Sequence, residues 1–220
     1  MSLISPSDQE RLRDVFREMP RAVKLLFFTQ TLGCDTCLET KQILDELPAL
    51  SDKITIEEVN FILEPEKATE YDVDRVPAVA IVGQTETGEP RDSKIRFLGA
   101  PAGYEFMSLV QAVLLVGGRP SMLSEESRKR IAAVTTPTKV HVFTTPTCPH
   151  CPRAVAVAHE MAFANPNITA FAVEATEFPD LARKYAVTGV PKTVVNDSVE
   201  ILGALPPDAF VEQALARPES

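Results

Sequence analysis

The sequence predicts an α/β protein of two tandem units, each a central β-sheet flanked by helices. Three observations carry that expectation. Apolar or alternating runs of strand type follow helix-periodic segments along the whole chain. A cysteine tetrad and a Val-Pro pair recur at one distance: Cys34 to Cys148 is 114 residues (148 − 34), and so is Pro77 to Pro191 (191 − 77). Between the copies, Gly117-Gly118-Arg119-Pro120 is a strong break signal. The expected units are residues 1–118 and 119–220.

In the first unit, Ser7 with Glu10 reads as a capping box. Leu12, Val15, Phe16 and Met19 then recur at helical spacing, which predicts a helix over 7–19. Residues 23–29 are continuously apolar with aromatics and predict a buried strand. A Thr/Gly turn leads to Cys34, and a helix over 36–47 stops near Pro48. Residues 53–61 alternate as a strand, and 64–71 form a short helix. After Val76-Pro77 come a strand over 78–82, a Gly/Glu/Pro-rich hairpin loop over 83–91, a return strand over 94–98 and a helix over 103–116.

The second unit repeats this order. Helices are expected at 124–134, from the second tetrad to about 164, at 178–185 and at 207–216. Strands are expected at 139–144, 168–174, 192–196 and 199–202. Tyr71-Asp72-Val73 echoes Tyr185-Ala186-Val187, and Phe97-Leu98-Gly99-Ala100 echoes Ile201-Leu202-Gly203-Ala204. The second echo is offset by only 104 (203 − 99), so ten residues are missing from the second hairpin, where loops absorb deletions.

Composition narrows the function classes. With 45% hydrophobic residues, the chain builds cores without needing disulfides to fold. A formal charge of −9 argues against nucleic acid as a general partner, because phosphate binding needs clustered Lys and Arg. The apolar runs, such as 25–28 and 113–116, are too short to span a bilayer. Residues 1–17 are polar and charged, without the pattern of a signal peptide, so a cytoplasmic location is expected.

All four cysteines lie in Cys34-Asp35-Thr36-Cys37 and Cys148-Pro149-His150-Cys151. In a reducing compartment, pairs at this spacing are catalytic or metal-binding rather than structural. Thiol–disulfide exchange needs an attacking thiolate and a second thiol to resolve the mixed disulfide. A helix N-terminus offers free N–H groups that favour the thiolate, and two-residue spacing puts the second cysteine in the first turn. Cys34 and Cys148 are therefore the expected exposed nucleophiles, and Cys37 and Cys151 the shielded resolving thiols. Structural zinc is the alternative, but zinc ribbons separate their pairs by about 15–20 residues. No metal site is expected.

The order strand, Cys-x-x-Cys, helix, strand, helix, Val-Pro, hairpin, helix resembles a thioredoxin fold, with its mixed sheet. Two such units in tandem are similar to the protein disulfide oxidoreductase family, also described as glutaredoxin-like. The second unit carries the closer match, in Cys148-Pro149-His150-Cys151-Pro152, Ala154-Val155 and Val190-Pro191-Lys192. Asp35-Thr36 departs from the usual pair between the cysteines. The resemblance implies reduction, formation or isomerisation of disulfides in client proteins, without a cofactor. It implies that Pro77 and Pro191 follow cis bonds in loops facing the tetrads, with Val76 and Val190 offering backbone groups to an extended substrate. The chain also resembles the N-terminal domain of alkyl hydroperoxide reductase flavoproteins, which retains one active tetrad. The length leaves no room for a flavin domain, so none is expected. Further partners implied are a thioredoxin reductase-like flavoenzyme and a peroxiredoxin. The alternative functions are a dedicated dithiol carrier between such partners and a chaperone-like peptide-binding module.

Around the cysteines, Glu58 shares strand parity with Ile54 and Ile56, and Glu174 with Ile168, Ala170 and Ala172. If those faces are core, both point inward as half-buried acids able to take the resolving thiol's proton; the alternative is an exposed strand-end charge. Pro149 and His150 flank Cys148. Asp35 and Glu39 near Cys34, against His150 and Arg153 near Cys148, predict a more acidic Cys148 and electron flow from the first unit to the second. His141 and His159 read as packing or surface residues.

Overall fold

The computed structural model describes residues 4–216, so the outermost residues of the two expected units, 1–3 and 217–220, lie outside the described residues. The first unit comprises α1 (Pro6–Arg17), β1 (Val23–Thr29), α2 (Cys37–Asp45), β2 (Ile54–Asn60), α3 (Pro65–Glu70), β3 (Ala78–Gln84), β4 (Pro90–Leu98) and α4 (Tyr104–Val116). The second comprises α5 (Glu125–Ala132), β5 (Thr138–Thr144), α6 (Cys151–Ala164), β6 (Ile168–Glu174), α7 (Pro179–Lys184), β7 (Lys192–Val195), β8 (Val199–Leu202) and α8 (Pro207–Ala214).

Two local expectations are corrected. The cap of α1 is Ser5, whose hydroxyl accepts the Asp8 N–H at 3.2 Å, not Ser7. Pro6 explains the shift: proline suits the first helical position, so the helix starts one residue before Ser7. Strand β4 begins at Pro90, earlier than expected, and carries a bulge opposite Ala80–Val82 with Lys94 at φ 61°. The Gly/Glu/Pro composition hid the strand's first half.

The eight strands form one sheet in the order β2-β1-β3-β4-β6-β5-β7-β8. Each unit contributes a mixed four-stranded sheet, and the two fuse where β4 pairs β6 in parallel, Ile95 opposite Ala170 through Leu98 opposite Val173. Fusion hydrogen-bonds two strands that would otherwise be open edges. Both faces are buried across the seam and, apart from Arg96, which is ion-paired with Asp92, lined by apolar side chains. Ile95 and Phe97 share one core with Ala170 and Ala172. Leu98 shares the other with Phe171 and Val173. This two-sided burial explains the continuous apolar runs of β1 and β6.

The pairing directions set the position of the sites. β1, β2, β4, β5 and β6 all run the same way. The tetrads that follow β1 and β5 therefore open on one end of the sheet. So do the loops after β4 and β6, which lie between them. Four strand steps separate β1 from β5, on the order of 19 Å.

Candidate redox sites

At each site a strand ends, the chain turns, and the second cysteine opens a helix. Cys34–Cys37 and Cys148–Cys151 are disulfides, each with Cα atoms 5.5 Å apart. Cys37 and Cys151 are the first residues of α2 and α6. At the second site the Cys151 N–H donates to Cys148 Sγ at 3.1 Å, a helix-end amide aimed at the expected nucleophile.

The sites differ in access. Cys34 is half-buried and Cys37 only 7% exposed. Cys148 is 6% exposed and Cys151 fully buried, so the expectation of an exposed first cysteine holds better at the first site. The loop before Cys148 is covered by the other unit. Tyr104 N–H at the start of α4 donates to the Pro146 carbonyl at 2.9 Å. The approach needs Gly103, since a Cβ there would lie 2.3 Å from that oxygen. Pro149 and His150 are exposed beside Cys148.

The Val76-Pro77 and Val190-Pro191 bonds are both cis. Each proline precedes a strand paired with the strand leading to its tetrad: Ala78 opposes Phe28, and Lys192 opposes Phe143. The Pro77 carbonyl accepts the Gly99 N–H at 2.9 Å, and Pro191 accepts the Gly203 N–H at 2.8 Å. Val76 and Val190 are half-buried.

The two expected acids separate. Glu174 is 3% exposed and accepts from Thr176 Oγ1 and from the Glu177 N–H. Glu58 takes the alternative reading, an exposed strand-end charge, and not that of a half-buried acid. It lines the groove beside Cys34 and Cys37 but is exposed, ion-paired with Lys41. Parity named the face correctly, but β2 is an edge strand, and Lys41 on α2 holds the carboxylate in solvent.

Two other acids escaped the sequence reading. Glu105, in the first turn of α4, is 3% exposed and has an unpartnered Oε1. Its carboxyl is pushed up to about 7, chiefly by burial; Glu174 adds to the rise, and the Thr144 and Ser108 hydroxyls oppose it. Thr144 closes β5, four residues before Cys148. A signal was present: Glu105, Ser108, Leu109 and Ala112 share the buried stripe of α4. Glu177, in the loop after β6, accepts from Thr36 Oγ1 inside the first tetrad and from the Ala100 N–H at 2.7 Å.

The histidines pack. His159 is buried edge-on against Phe97, and burial pushes it down to about 3. His141 stacks on Phe171 and Tyr185, and burial pushes it down to about 4. Among the described residues no cluster of His, Cys, Asp or Glu forms a metal site, and no helix is long and apolar enough to cross a membrane.

Comparison with known proteins agrees with this geometry. The Thioredoxin domain family matches residues 138–216. The structure superposes on the N-terminal domain of alkyl hydroperoxide reductase AhpF from Enterococcus faecalis with a TM-score of 0.87 at 30% identity, covering 97% of this chain and 100% of that one. It superposes equally on a protein disulfide oxidoreductase from Aeropyrum pernix, with a TM-score of 0.86 at 28% identity, covering 96% and 92%. The chain belongs to the family of tandem thioredoxin-fold domains represented by the N-terminal domain of AhpF. Among sequence relatives, the F component of alkyl hydroperoxide reductase from Pseudomonas putida is 34% identical over 132 residues, 56% of this chain. The chain spans only about a quarter of that relative's length, 25%. The tandem arrangement accounts for the fused sheet, and this chain carries a disulfide in each of its two units.

Proposed function

We propose that this chain is a dithiol–disulfide oxidoreductase acting on protein clients through both tetrads, with residues 1–118 and 119–220 each serving as one redox unit. The carrying observation is the twofold constellation of disulfide, helix start and cis Val-Pro loop. In the reducing direction, the Cys148 thiolate, steadied by the Cys151 N–H, attacks one client sulfur. A mixed disulfide forms, and the other client sulfur leaves as a thiolate. Cys151 then gives up its proton and attacks Cys148 Sγ, which releases the second client sulfur. The client gains two electrons and two protons, and the chain loses them. Cys34 and Cys37 act in the same way, and either site run backwards forms a disulfide.

Glu105, titrating near neutrality in the seam beside Thr144, is the proposed proton acceptor at the second site. Glu174 supports it by charge rather than by contact with a thiol. Glu58 with Lys41 shapes the groove at the first site. The backbones of Val76 and Val190 pair with the client, and exposed Leu32, Leu38, Ile62 and Leu63 offer it apolar contact near the first site. Pro149 and His150 border the approach to Cys148. A cytoplasmic location, where such dithiols are kept reduced, fits this use.

Likeness to the AhpF domain favours a second reading, a dithiol carrier between a thioredoxin reductase-like flavoenzyme and a peroxiredoxin. Insulin reduction with glutathione as electron source tests the first reading. Turnover without any added reductase supports a protein oxidoreductase. Turnover only with a flavoenzyme and a peroxiredoxin supports the carrier. Binding of unfolded chains that survives Cys→Ser at all four positions, with no turnover, would overturn both.

A further inference from the structure

Thr36 is the residue before α2, where a threonine ordinarily turns its hydroxyl to the helix N–H groups. It makes no such cap; its hydroxyl donates to Glu177 of the other unit instead. The carboxylate is seated by a turn at the end of β4. Ala100 N–H donates to Glu177 Oε1 at 2.7 Å. Gly99, at φ +99°, leaves the room: a Cβ there would lie 3.1 Å from Glu177 Oε1 and 2.6 Å from Glu174 Cβ. The same turn exists in the second unit, where Gly203 also donates to its cis proline's carbonyl, yet nothing lies within 4 Å of a Cβ built on Gly203. His150, the counterpart of Thr36, is exposed. One turn, present twice, holds a carboxyl group only at the first site.

We propose that Glu177 is a positioning residue of the first redox site, holding Thr36 off the helix cap and keeping a carboxyl group beside Cys34–Cys37, so that this site is the more reducing of the two. The proposal rests on the oxidoreductase reading above. A carboxylate opposes a nearby thiolate, and a less stable thiolate weakens the reduced form. Freeing the α2 N–H groups from the Thr36 hydroxyl works the other way; in this proposal the charge of the carboxyl group, bonded to Thr36 within the tetrad, is the larger effect. The groups facing Glu177 are Glu174 of β6 and Glu39 of α2, with Thr36 and Ala100 as donors. Burial is the first cause raising its pKa; the two glutamates add to the rise and the two donors oppose it.

The test uses the full chain with Cys148→Ser/Cys151→Ser, so that only the first site exchanges. In glutathione buffers the reaction is balanced: two glutathione thiols become one glutathione disulfide, and Cys34–Cys37 becomes a dithiol. Glu177→Gln is expected to shift this equilibrium about tenfold toward the dithiol, roughly 30 mV, and to lower the alkylation midpoint of Cys34 when Cys37 is also serine. Thr36→Val should move both in the same direction by less, and Thr36→Ser should restore the parent values. A purely structural contact would change the melting temperature and leave the potential alone. Equilibria within twofold of the parent in both Glu177→Gln and Thr36→Val would overturn the inference while leaving the site's activity standing. A parent site that fails to exchange with glutathione would overturn the redox reading and the inference together.

Discussion

Tyr104 and Pro146 join the two units by one backbone hydrogen bond, Tyr104 N–H to Pro146 carbonyl at 2.9 Å. Thr36 and Glu177 join them in the opposite sense. The first tetrad and the loop leading into the second are thus each touched by the other unit. The sites are not independent modules on a string, and changes in the seam have effects at the cysteines.

Gly103→Ala is expected to loosen the cover over the second site. Gly103 has φ 58°, and a Cβ would meet Pro146 oxygen at 2.3 Å, so the substitution carries both backbone strain and a clash. Strain of this kind costs about 1–3 kcal/mol. Urea unfolding should show that loss, and alkylation of reduced Cys148 should accelerate more than that of Cys34. Equal acceleration at both cysteines would contradict the local role of the contact.

Glu105→Gln separates stability from catalysis by pH. The folded carboxyl titrates near 7, above its unfolded value, so the protonated form stabilises the fold at low pH, and that stability is lost as pH rises through about 7. The amide variant should match the parent near pH 4 and exceed it near pH 8.5, by up to about 3 kcal/mol. Its exchange rate at the second site should fall and lose its inflection near neutrality. A parallel pH profile in parent and variant would remove Glu105 from proton transfer.

The neighbours of the nucleophiles predict that Cys148 is the more acidic thiol. Asp35 and Glu39 flank Cys34, whereas His150 and Arg153 flank Cys148. Iodoacetamide rates against pH, each nucleophile measured with the other three cysteines as serine, should give a lower midpoint for Cys148. A lower midpoint for Cys34 would show that burial of Cys148 outweighs charge.

His141 and His159 predict acid sensitivity. Burial lowers both below the unfolded value near 6.5, so their contribution is complete above that pH and is lost as pH falls toward 4 and 3. From pH 7 to 5, each costs about 2 kcal/mol. His159→Phe should flatten part of that slope in denaturant titrations, and an unchanged slope would refute the assignment.

Much of the fold was legible because its signals are local. The apolar runs fix β1 and β6 at their expected bounds, β8 also falls on its expected residues, and the tetrads stand at helix starts where their spacing puts them. What was hidden depends on docking. Nothing in the pattern of β4 tells that it pairs with β6, because apolar residues on both faces suit an edge covered by any neighbour. Glu105 and Glu177 acquire their surroundings only when the units meet, so each looks alone like an ordinary helix or loop charge. Glu58 stands between two readings for the converse reason: parity gives a face, not whether an edge strand's face is covered. The expected passage of electrons from the first unit to the second is likewise not a local matter: the strands that lead to the two tetrads lie on the order of 19 Å apart, so its route depends on a carrier or on movement of the chain.

The common direction of β1 and β5 has a consequence for valency. Two reactive positions on one end of a rigid sheet, separated by roughly the length of six extended residues, form a bidentate surface. A client tethered through one mixed disulfide has its neighbouring cysteines confined near the second position, at an effective concentration in the millimolar range rather than that of bulk solution. Polypeptides with closely spaced cysteine pairs would then be worked on at both positions in a single encounter, and peptides with one pair would gain nothing from the duplication.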